Sequence, residues 1–117
     1  MERPSDRELS KKLRLTKAAF ASGKFSFIQP DVIAADLLEI DVTMERFQNI
    51  FPQALDEIMP RHYKGERPPQ RSYENEIFNQ ELFAFRWDSK AFVCMMYFKF
   101  ALRPDHLWIV SLHKDRG

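Results

Sequence analysis

Three closely spaced runs of aromatic and aliphatic residues fill the second half of the chain and constrain its fold more than any other feature. The runs cover 76–87, 91–102 and 106–113, and a polar break of three residues separates each run from the next. Aromatic and β-branched side chains favour pleated strands, and connections this short join antiparallel neighbours. The sequence therefore predicts an antiparallel sheet from about Glu76 to Lys114.

Helical signals occupy the first half of the chain, residues 1–59. Ser5-Asp6-Arg7-Glu8 has the form of a capping box, and the apolar residues after it fall on one helical face. The predicted helices cover about 5–22, 30–38 and 43–51. Pro52 has no N–H to donate, so we expect it to interrupt the third helix and leave only a short turn before Pro60.

The two halves are expected to form a single domain, residues 1–117. With 117 residues, 11 Phe, 3 Tyr and 2 Trp, the chain has enough length and apolar area for one core but not for two. The polar segment 60–75 contains Gly65 and Pro68-Pro69 and is interpreted as a loop, ordered or mobile, rather than a linker between domains. The predicted fold class is α+β, with the N-terminal helices packed on one face of a small antiparallel sheet.

The alternation of side chains along the strands predicts which residues face the helices. The core face is assigned to Phe83, Phe85, Trp87, Phe92, Cys94, Met96, Phe98, Phe100, Trp108, Val110 and Leu112. The opposite face then carries Gln80, Ala84, Arg86, Tyr97, Lys99, Ser111 and His113. Glu81 falls on the core face at the start of its run, a conflict that a bulge or an edge position would relieve.

Several classes of protein are excluded or disfavoured by composition. The single cysteine, Cys94, cannot form an internal disulfide, which excludes a secreted disulfide scaffold. No apolar stretch approaches the length of a membrane span, and the first residues are charged where a signal peptide would be apolar. We therefore expect a cytoplasmic protein with no membrane partner. The sequence has no Gly-rich phosphate loop, metal-ligand spacing or nucleophile elbow, so no metal or other cofactor is expected.

Positive charge is concentrated in the second half of the chain. Residues 1–59 hold 8 Lys/Arg and 10 Asp/Glu, whereas residues 60–117 hold 10 and 7. Arg61, His62, Lys64, Arg67 and Arg71 crowd one short segment that contains a single opposing acid, Glu66. This segment is either a patch that faces phosphate groups or an ordinary solvated loop.

The polar face of the predicted sheet has the residue types that cleave RNA without a metal. That reaction needs a base for the 2′-OH proton, an acid for the 5′-oxygen and cations that stabilise the phosphorane. His113 can serve as acid or base, Tyr97 can orient or protonate, and Arg or Lys can stabilise charge. The alternatives are a half-buried sheet tyrosine, a surface histidine and, for Lys99, an ordinary polar-face lysine.

Five short stretches, taken in order, resemble the MqsR family of toxins, whose fold is similar to that of the RelE toxins. They are KAAFAS at 17–22, RHYK at 61–64, YENEIFNQELF at 73–83, YFK at 97–99 and WIVSLHK at 108–114. The resemblance covers nearly the whole chain. It implies a RelE-like fold and the toxin of a type II toxin–antitoxin pair, a ribosome-independent endonuclease that cleaves mRNA. It also implies a partner, a zinc-containing helix-turn-helix antitoxin encoded beside it.

The resemblance also implies the site residues. Gln80 and Tyr97 match the family's glutamine and tyrosine, and Glu81 stands in the place of its aspartate. The family's loop lysine matches Lys64 if an insertion follows it, or Pro68 without a gap; its C-terminal lysine matches His113 without a gap, or Lys114 with one. The catalytic candidates are Gln80, Tyr97, His113 and Lys64, and the RNA-binding candidates are Arg67, Arg71, Arg86, Lys99 and Lys114.

Two other functions remain open on the sequence alone. Exposed aromatic side chains such as Phe78 on a basic sheet can stack on bases without cleaving RNA, which would make the chain a non-catalytic RNA-binding module. Alternatively, the same face can dock a protein partner, for example by pairing at a strand edge.

Overall fold

Three helices precede the main strands, and the computed structural model describes residues 4–117. The elements in chain order are α1 (Asp6–Ala21), β1 (Phe25–Phe27), α2 (Pro30–Leu38), α3 (Met44–Glu57), β2 (Phe83–Ser89), β3 (Cys94–Leu102) and β4 (Leu107–Lys114), with short 3-10 turns at Pro60–His62 and Asn75–Ile77. The Ser5 hydroxyl accepts a hydrogen bond from the Glu8 N–H and caps α1, as the sequence predicts. The α+β class, with the helices on the N-terminal side, is confirmed.

The third helix continues through Pro52, so the predicted interruption is wrong. α3 runs unbroken from Met44 to Glu57 although Pro52 cannot donate a backbone hydrogen bond. The side chains of Phe51, Ala54 and Leu55 around it are almost completely buried. The burial of this apolar face outweighs the one hydrogen bond that the proline removes.

The sheet has four strands in the order β1-β4-β3-β2. β2 pairs with β3 and β3 with β4 in antiparallel fashion, as predicted. β1 was not predicted; it pairs in parallel with the start of β4 and makes the sheet mixed. β2 begins at Phe83 rather than near Glu76, because residues 75–77 form a 3-10 turn instead of extended chain.

A β-bulge in β4 changes which of its side chains face the helices. Lys99 of β3 pairs with Ser111, but the next residue of β3, Phe100, pairs with Ile109, so Val110 is an extra residue in β4. Leu107, Ile109 and Leu112 are therefore buried on the face against the helices. The assignment of Trp108 and Val110 to that face was wrong, because the bulge shifts the alternation by one residue.

The two faces of the sheet have different partners. The inner face, which packs on the helices, carries the main core, in which Phe51 of α3 meets Phe98 of β3 with ring centroids 5.2 Å apart. The outer face, on the opposite side, is partly covered by a small cluster of Ile77, Leu82 and Ala101, with Ile28, Trp108 and Val110 packed against it. Elsewhere on this face Tyr97 and His113 are half-buried and Arg86 is exposed.

One carboxylate joins the end of α3 to the turn between β2 and β3. Glu57 Oε1 accepts hydrogen bonds from Trp87 Nε1 at 2.9 Å and from the Ser89 hydroxyl at 2.7 Å. Its Oε2 accepts from the backbone N–H groups of Lys90 and Ala91 at 3.1 and 2.9 Å. Burial alone would raise the pKa of Glu57, but these hydrogen bonds outweigh it and hold the pKa below its ordinary value. The charged carboxylate therefore stabilises the fold.

We expect Glu57→Gln to lower the free energy of unfolding by about 2 kcal/mol, because the amide replaces one acceptor oxygen with a donor that faces other donors. Since the folded-state pKa is lowered, this contribution is complete above the ordinary pKa of 4.5 and is lost as the pH falls through the lower folded-state value. Denaturant unfolding at several pH values measures both effects. Glu45→Gln, at an exposed position in the first turn of α3, is the matched control; equal stability of the two variants would contradict this role for Glu57.

Candidate functional site

Register places three polar residues in one row across the outer face. Arg86 of β2 pairs with Tyr97 of β3, and Tyr97 pairs with His113 of β4. Directly paired residues share a face of the sheet, and the rings of Tyr97 and His113 stack with centroids 5.2 Å apart and planes 25° from parallel. Lys99 and Ser111 form a pair beside this row. The structure thus brings together five of the polar residues that alternation assigned to this face.

A small cleft lies where the basic segment 60–75 meets this row. It has a volume of about 60 Å³ and is lined by Lys64, Gly65, Glu66, Gln70, Leu82, Ala84, Tyr97 and Lys99. Of the two residues that matched the family's loop lysine, Lys64 lines the cleft and Pro68 does not. Two lysines and the Tyr97 side chain therefore converge on one solvent-filled space.

Backbone hydrogen bonds fix the basic segment along the free edge of β2. The Lys64 N–H donates to the Ala84 carbonyl at 2.8 Å, and the Leu82 N–H donates to the Gln70 carbonyl at 2.8 Å. Isolated bridges join Tyr63 to Phe85 and Arg71 to Glu81. These hydrogen bonds and bridges make the segment an extension of the sheet along β2.

Tyr63 anchors the cleft-lining part of this segment. Its ring is buried against Phe85, and its hydroxyl donates a hydrogen bond to the Glu66 carbonyl. Burial, with a contribution from the Glu66 carboxylate, raises the pKa of Tyr63 to about 12, so the hydroxyl keeps its proton. Gly65 passes so close to this ring that an added Cβ would lie 2.5 Å from the hydroxyl oxygen.

The contacts of His113 define which ring nitrogen is available. Nδ1 lies 2.9 Å from the Lys114 carbonyl oxygen and 3.1 Å from a guanidinium nitrogen of Arg116. The carbonyl needs a proton on Nδ1, whereas the guanidinium needs a bare nitrogen, so only one of the two bonds forms at a time. With the proton on Nδ1, the Nε2 atom of the neutral ring is an acceptor that has no hydrogen-bond partner within residues 4–117.

The surroundings of Tyr97 keep its hydroxyl protonated, and Asp115 offsets the charge of Arg86. Burial raises the pKa of Tyr97, and the carboxylates of Glu66 and Asp115 add to this effect. Arg86 donates a short hydrogen bond to Asp115, whose pKa is lowered mainly by that bond. Arg86 is thereby held beside Tyr97 with its charge neutralised, while Tyr97 is a proton donor at neutral pH.

Four predicted site residues lie away from this row. Gln80, which was expected to join the polar face, lies before β2 begins and six residues before Arg86, a separation of roughly 20 Å in extended chain. Lys114 pairs with the buried Met96 and so points to the inner side of the sheet. Arg71 donates to the Asn79 carbonyl at 2.8 Å, and Arg67 is exposed in the loop and does not line the cleft.

Sequence reasoning missed three residues that shape the site. Glu66, which appeared only as an opposing charge in a basic segment, lines the cleft beside Lys64. Asp115 contacts Arg86, and Arg116 contacts His113. Both residues follow the last apolar run, so no periodicity assigns their side chains to a face of the sheet. For Glu66, the only signal in the sequence was its position two residues after Lys64.

No helix within residues 4–117 is long and apolar enough to span a bilayer. The same residues include no group of three or more His, Cys, Asp and Glu side chains arranged to hold a metal ion.

We expect Gly65→Ala to destabilise the protein by about 1–3 kcal/mol, because the new methyl group would overlap the Tyr63 ring and push the segment off the cleft. Thermal unfolding measures the loss. In a Tyr63→Phe background the nearest atom, the hydroxyl oxygen, is gone, so the same substitution should cost less. Equal costs in the two backgrounds would show that the Tyr63 hydroxyl does not limit the space at Gly65.

In comparisons with known proteins, the chain matches no family model and no curated protein.

Proposed function

We propose that this protein is a metal-independent endoribonuclease that cleaves mRNA and acts as the toxin of a type II toxin–antitoxin system. The observation that carries the nuclease proposal is the stacked pair of Tyr97 and His113 beside a cleft that Lys64 and Lys99 line. These side chains supply a base, an acid and two cations at one place. The toxin role, the mRNA substrate and the antitoxin partner rest on the resemblance to the MqsR family.

In the proposed reaction, His113 Nε2 accepts the proton of the ribose 2′-OH. The 2′-oxygen attacks the adjacent phosphorus, an O2′–P bond forms and the P–O5′ bond breaks. Tyr97 donates its proton to the departing 5′-oxygen, and the proton on His113 returns to the tyrosine oxygen through solvent. The products are a 2′,3′-cyclic phosphate and a free 5′-hydroxyl, so atoms and charge balance without a further reactant.

The electrostatics of the cleft suit these assignments. Tyr97 keeps its proton at neutral pH, and although burial raises its pKa, the departing 5′-oxygen is a stronger base than a phenolate and takes that proton. Lys64 and Lys99 have no ion-pair partner within residues 4–117, so their charges are available to the phosphorane. Arg86, which is neutralised by Asp115, positions the row rather than contacting the reacting phosphate.

One observation supports a non-catalytic RNA-binding module as a second candidate. Tyr73 and Phe78 are 85% and 60% exposed, and they follow Arg71 by two and seven residues. Exposed rings beside cations can stack on bases without any cleavage. Pairing of a protein partner at the β2 edge has less support, because the basic segment already occupies that edge.

We expect His113→Gln and Tyr97→Phe each to lower the rate of RNA cleavage by roughly 100-fold to 10,000-fold, because each removes one proton-transfer group. Cleavage of a labelled single-stranded RNA by purified protein measures the rate. Growth arrest on expression of the wild type, and its loss in the double variant, is the corresponding result in cells.

Matched controls are available for both side chains. His106→Gln alters a histidine whose Nε2 lies 2.9 Å from the Ser26 hydroxyl, away from the row, and Tyr73→Phe alters an exposed tyrosine. Both controls should cleave at the wild-type rate. RNA that stays intact with the wild type, or equal cleavage by wild type and double variant, would refute the nuclease; binding without cleavage would favour the second candidate.

A further inference from the structure

The residues that follow β4 link the helical layer to the outer face of the sheet. β1 pairs with β4 only from Leu107 to Ile109, so within residues 4–117 no strand lies beside the later part of β4 on that side. α2 packs against β4 from the inner side. Arg116, two residues after β4, reaches both the acids of α2 and the ring of His113 on the outer face. One guanidinium therefore joins the two sides of the sheet.

Two carboxylates of α2 fix this guanidinium. Arg116 Nη2 donates to Glu39 Oε1 at 2.8 Å and to Asp36 Oδ1 at 3.4 Å. The side chain of Asp36 is only 19% exposed, so it is held against the protein. Ion pairs at a surface add little stability, but two acids on one planar guanidinium restrict where its other nitrogens point. Arg116 therefore presents Nη1 in a set direction.

The nitrogen that Arg116 presents in this way meets the His113 ring. Nη1 lies 3.1 Å from Nδ1 of His113, and the same ring stacks on Tyr97 with centroids 5.2 Å apart. A guanidinium is always a donor, so this contact is a hydrogen bond only when Nδ1 carries no proton. In a neutral histidine the proton is then on Nε2, because the hydrogen bond of one ring nitrogen sets the state of the other.

The competing contact of Nδ1 is weaker than the one with Arg116. The Lys114 carbonyl oxygen lies 2.9 Å from Nδ1 and needs a proton on that nitrogen. Its bond would join two neutral groups, whereas hydrogen bonds from an ionised donor are roughly twice as strong. A proton on Nδ1 would also face the guanidinium with a second donor and leave Nη1 without its acceptor. The tautomer with the proton on Nε2 is therefore favoured at rest.

We propose that Arg116 is a positioning residue that controls the tautomer of His113, and that its contact holds the ring in the form that cannot act as a base. This inference rests on the proposed function, in which His113 Nε2 accepts the proton of the 2′-OH. For Nε2 to accept, Arg116 must leave Nδ1. The ring then gives its Nε2 proton to water and takes one at Nδ1, where the Lys114 carbonyl binds it. Through Arg116, α2 restrains a row that lies on the other side of the sheet.

Nitrogen NMR of the labelled protein tests this inference without RNA, because the shifts of the two ring nitrogens report which one carries the proton. At about pH 8, where histidine side chains are mostly neutral, we expect the Nε2–H form of His113 to predominate in the wild type. In Arg116→Met, which keeps an apolar stem and removes every donor, the Nδ1–H form should predominate. Arg116→Lys keeps a cationic donor and should stay closer to the wild type.

The matched control is Arg46→Met. Arg46 is another exposed arginine, and its Nη1 donates to the Asp41 carbonyl at 3.1 Å, just after α2. Its replacement removes the same charge and should leave the tautomer of His113 unchanged.

The rate of RNA cleavage gives a second readout. We expect Arg116→Met to cleave up to about tenfold faster than the wild type, because the base-competent tautomer is no longer the minor form. The double variant Asp36→Asn/Glu39→Gln keeps Arg116 but releases it from α2. It should shift the tautomer and the rate in the same direction by a smaller factor, and it repeats the test with Arg116 in place.

The outcomes separate this inference from the nuclease. A wild type in which the Nδ1–H form already predominates, or an unchanged tautomer in Arg116→Met, would overturn the inference whether or not RNA is cleaved. The expected tautomers with no cleavage by the wild type would refute the nuclease and support the control of His113 by Arg116. Slower cleavage by Arg116→Met despite the shifted tautomer would overturn the restraint.

Discussion

One extra residue in a central strand decides what each face of the sheet presents. Val110 forms the bulge of β4, so that Ile109 and Leu112 both reach the inner face although they are three positions apart. A regular strand with Leu112 inside would turn Ile109 outward into solvent and open the core against the helices. With the bulge, the inner face is continuously apolar and His113 still shares the outer face with Tyr97. The core and the candidate site thus depend on the same irregularity.

The outer face is divided by what covers it. At one end the turn at 75–77 brings Ile77 onto Leu82 and Ala101, and this small cluster buries that part of the sheet. At the other end the basic segment bonds along β2 and stops short of covering the row of Arg86, Tyr97 and His113. The second region combines the half-buried Tyr97 and His113 with the lysines of the cleft, Lys64 and Lys99. The chemistry proposed for the protein therefore follows from which part of the sheet the loops leave open.

Local patterns in the sequence predicted the parts of the fold that depend on local forces. The boundaries of α1 and α2, the two antiparallel pairings and the alternation in β3 follow from capping, periodicity and short turns. The parallel strand β1, the bulge at Val110 and the continuity of α3 through Pro52 depend on contacts between distant segments, which no local pattern contains. Of the candidate site, the shared face of Tyr97, Lys99 and His113 was predictable from alternation, whereas Gln80 lies outside β2 because the strand begins later than its apolar run.

The central claim is that side chains of the outer face cleave RNA by attack of its own 2′-oxygen. Incubation of the wild-type protein in EDTA with a single-stranded RNA, and with the same strand carrying a 2′-deoxyribose at the cleaved position, tests this most directly. The account predicts cleavage of the first strand to a 2′,3′-cyclic phosphate and a 5′-hydroxyl, and no cleavage of the second at that position. Products with a 3′-hydroxyl and a 5′-phosphate, or equal cleavage of the deoxy-substituted strand, would contradict it.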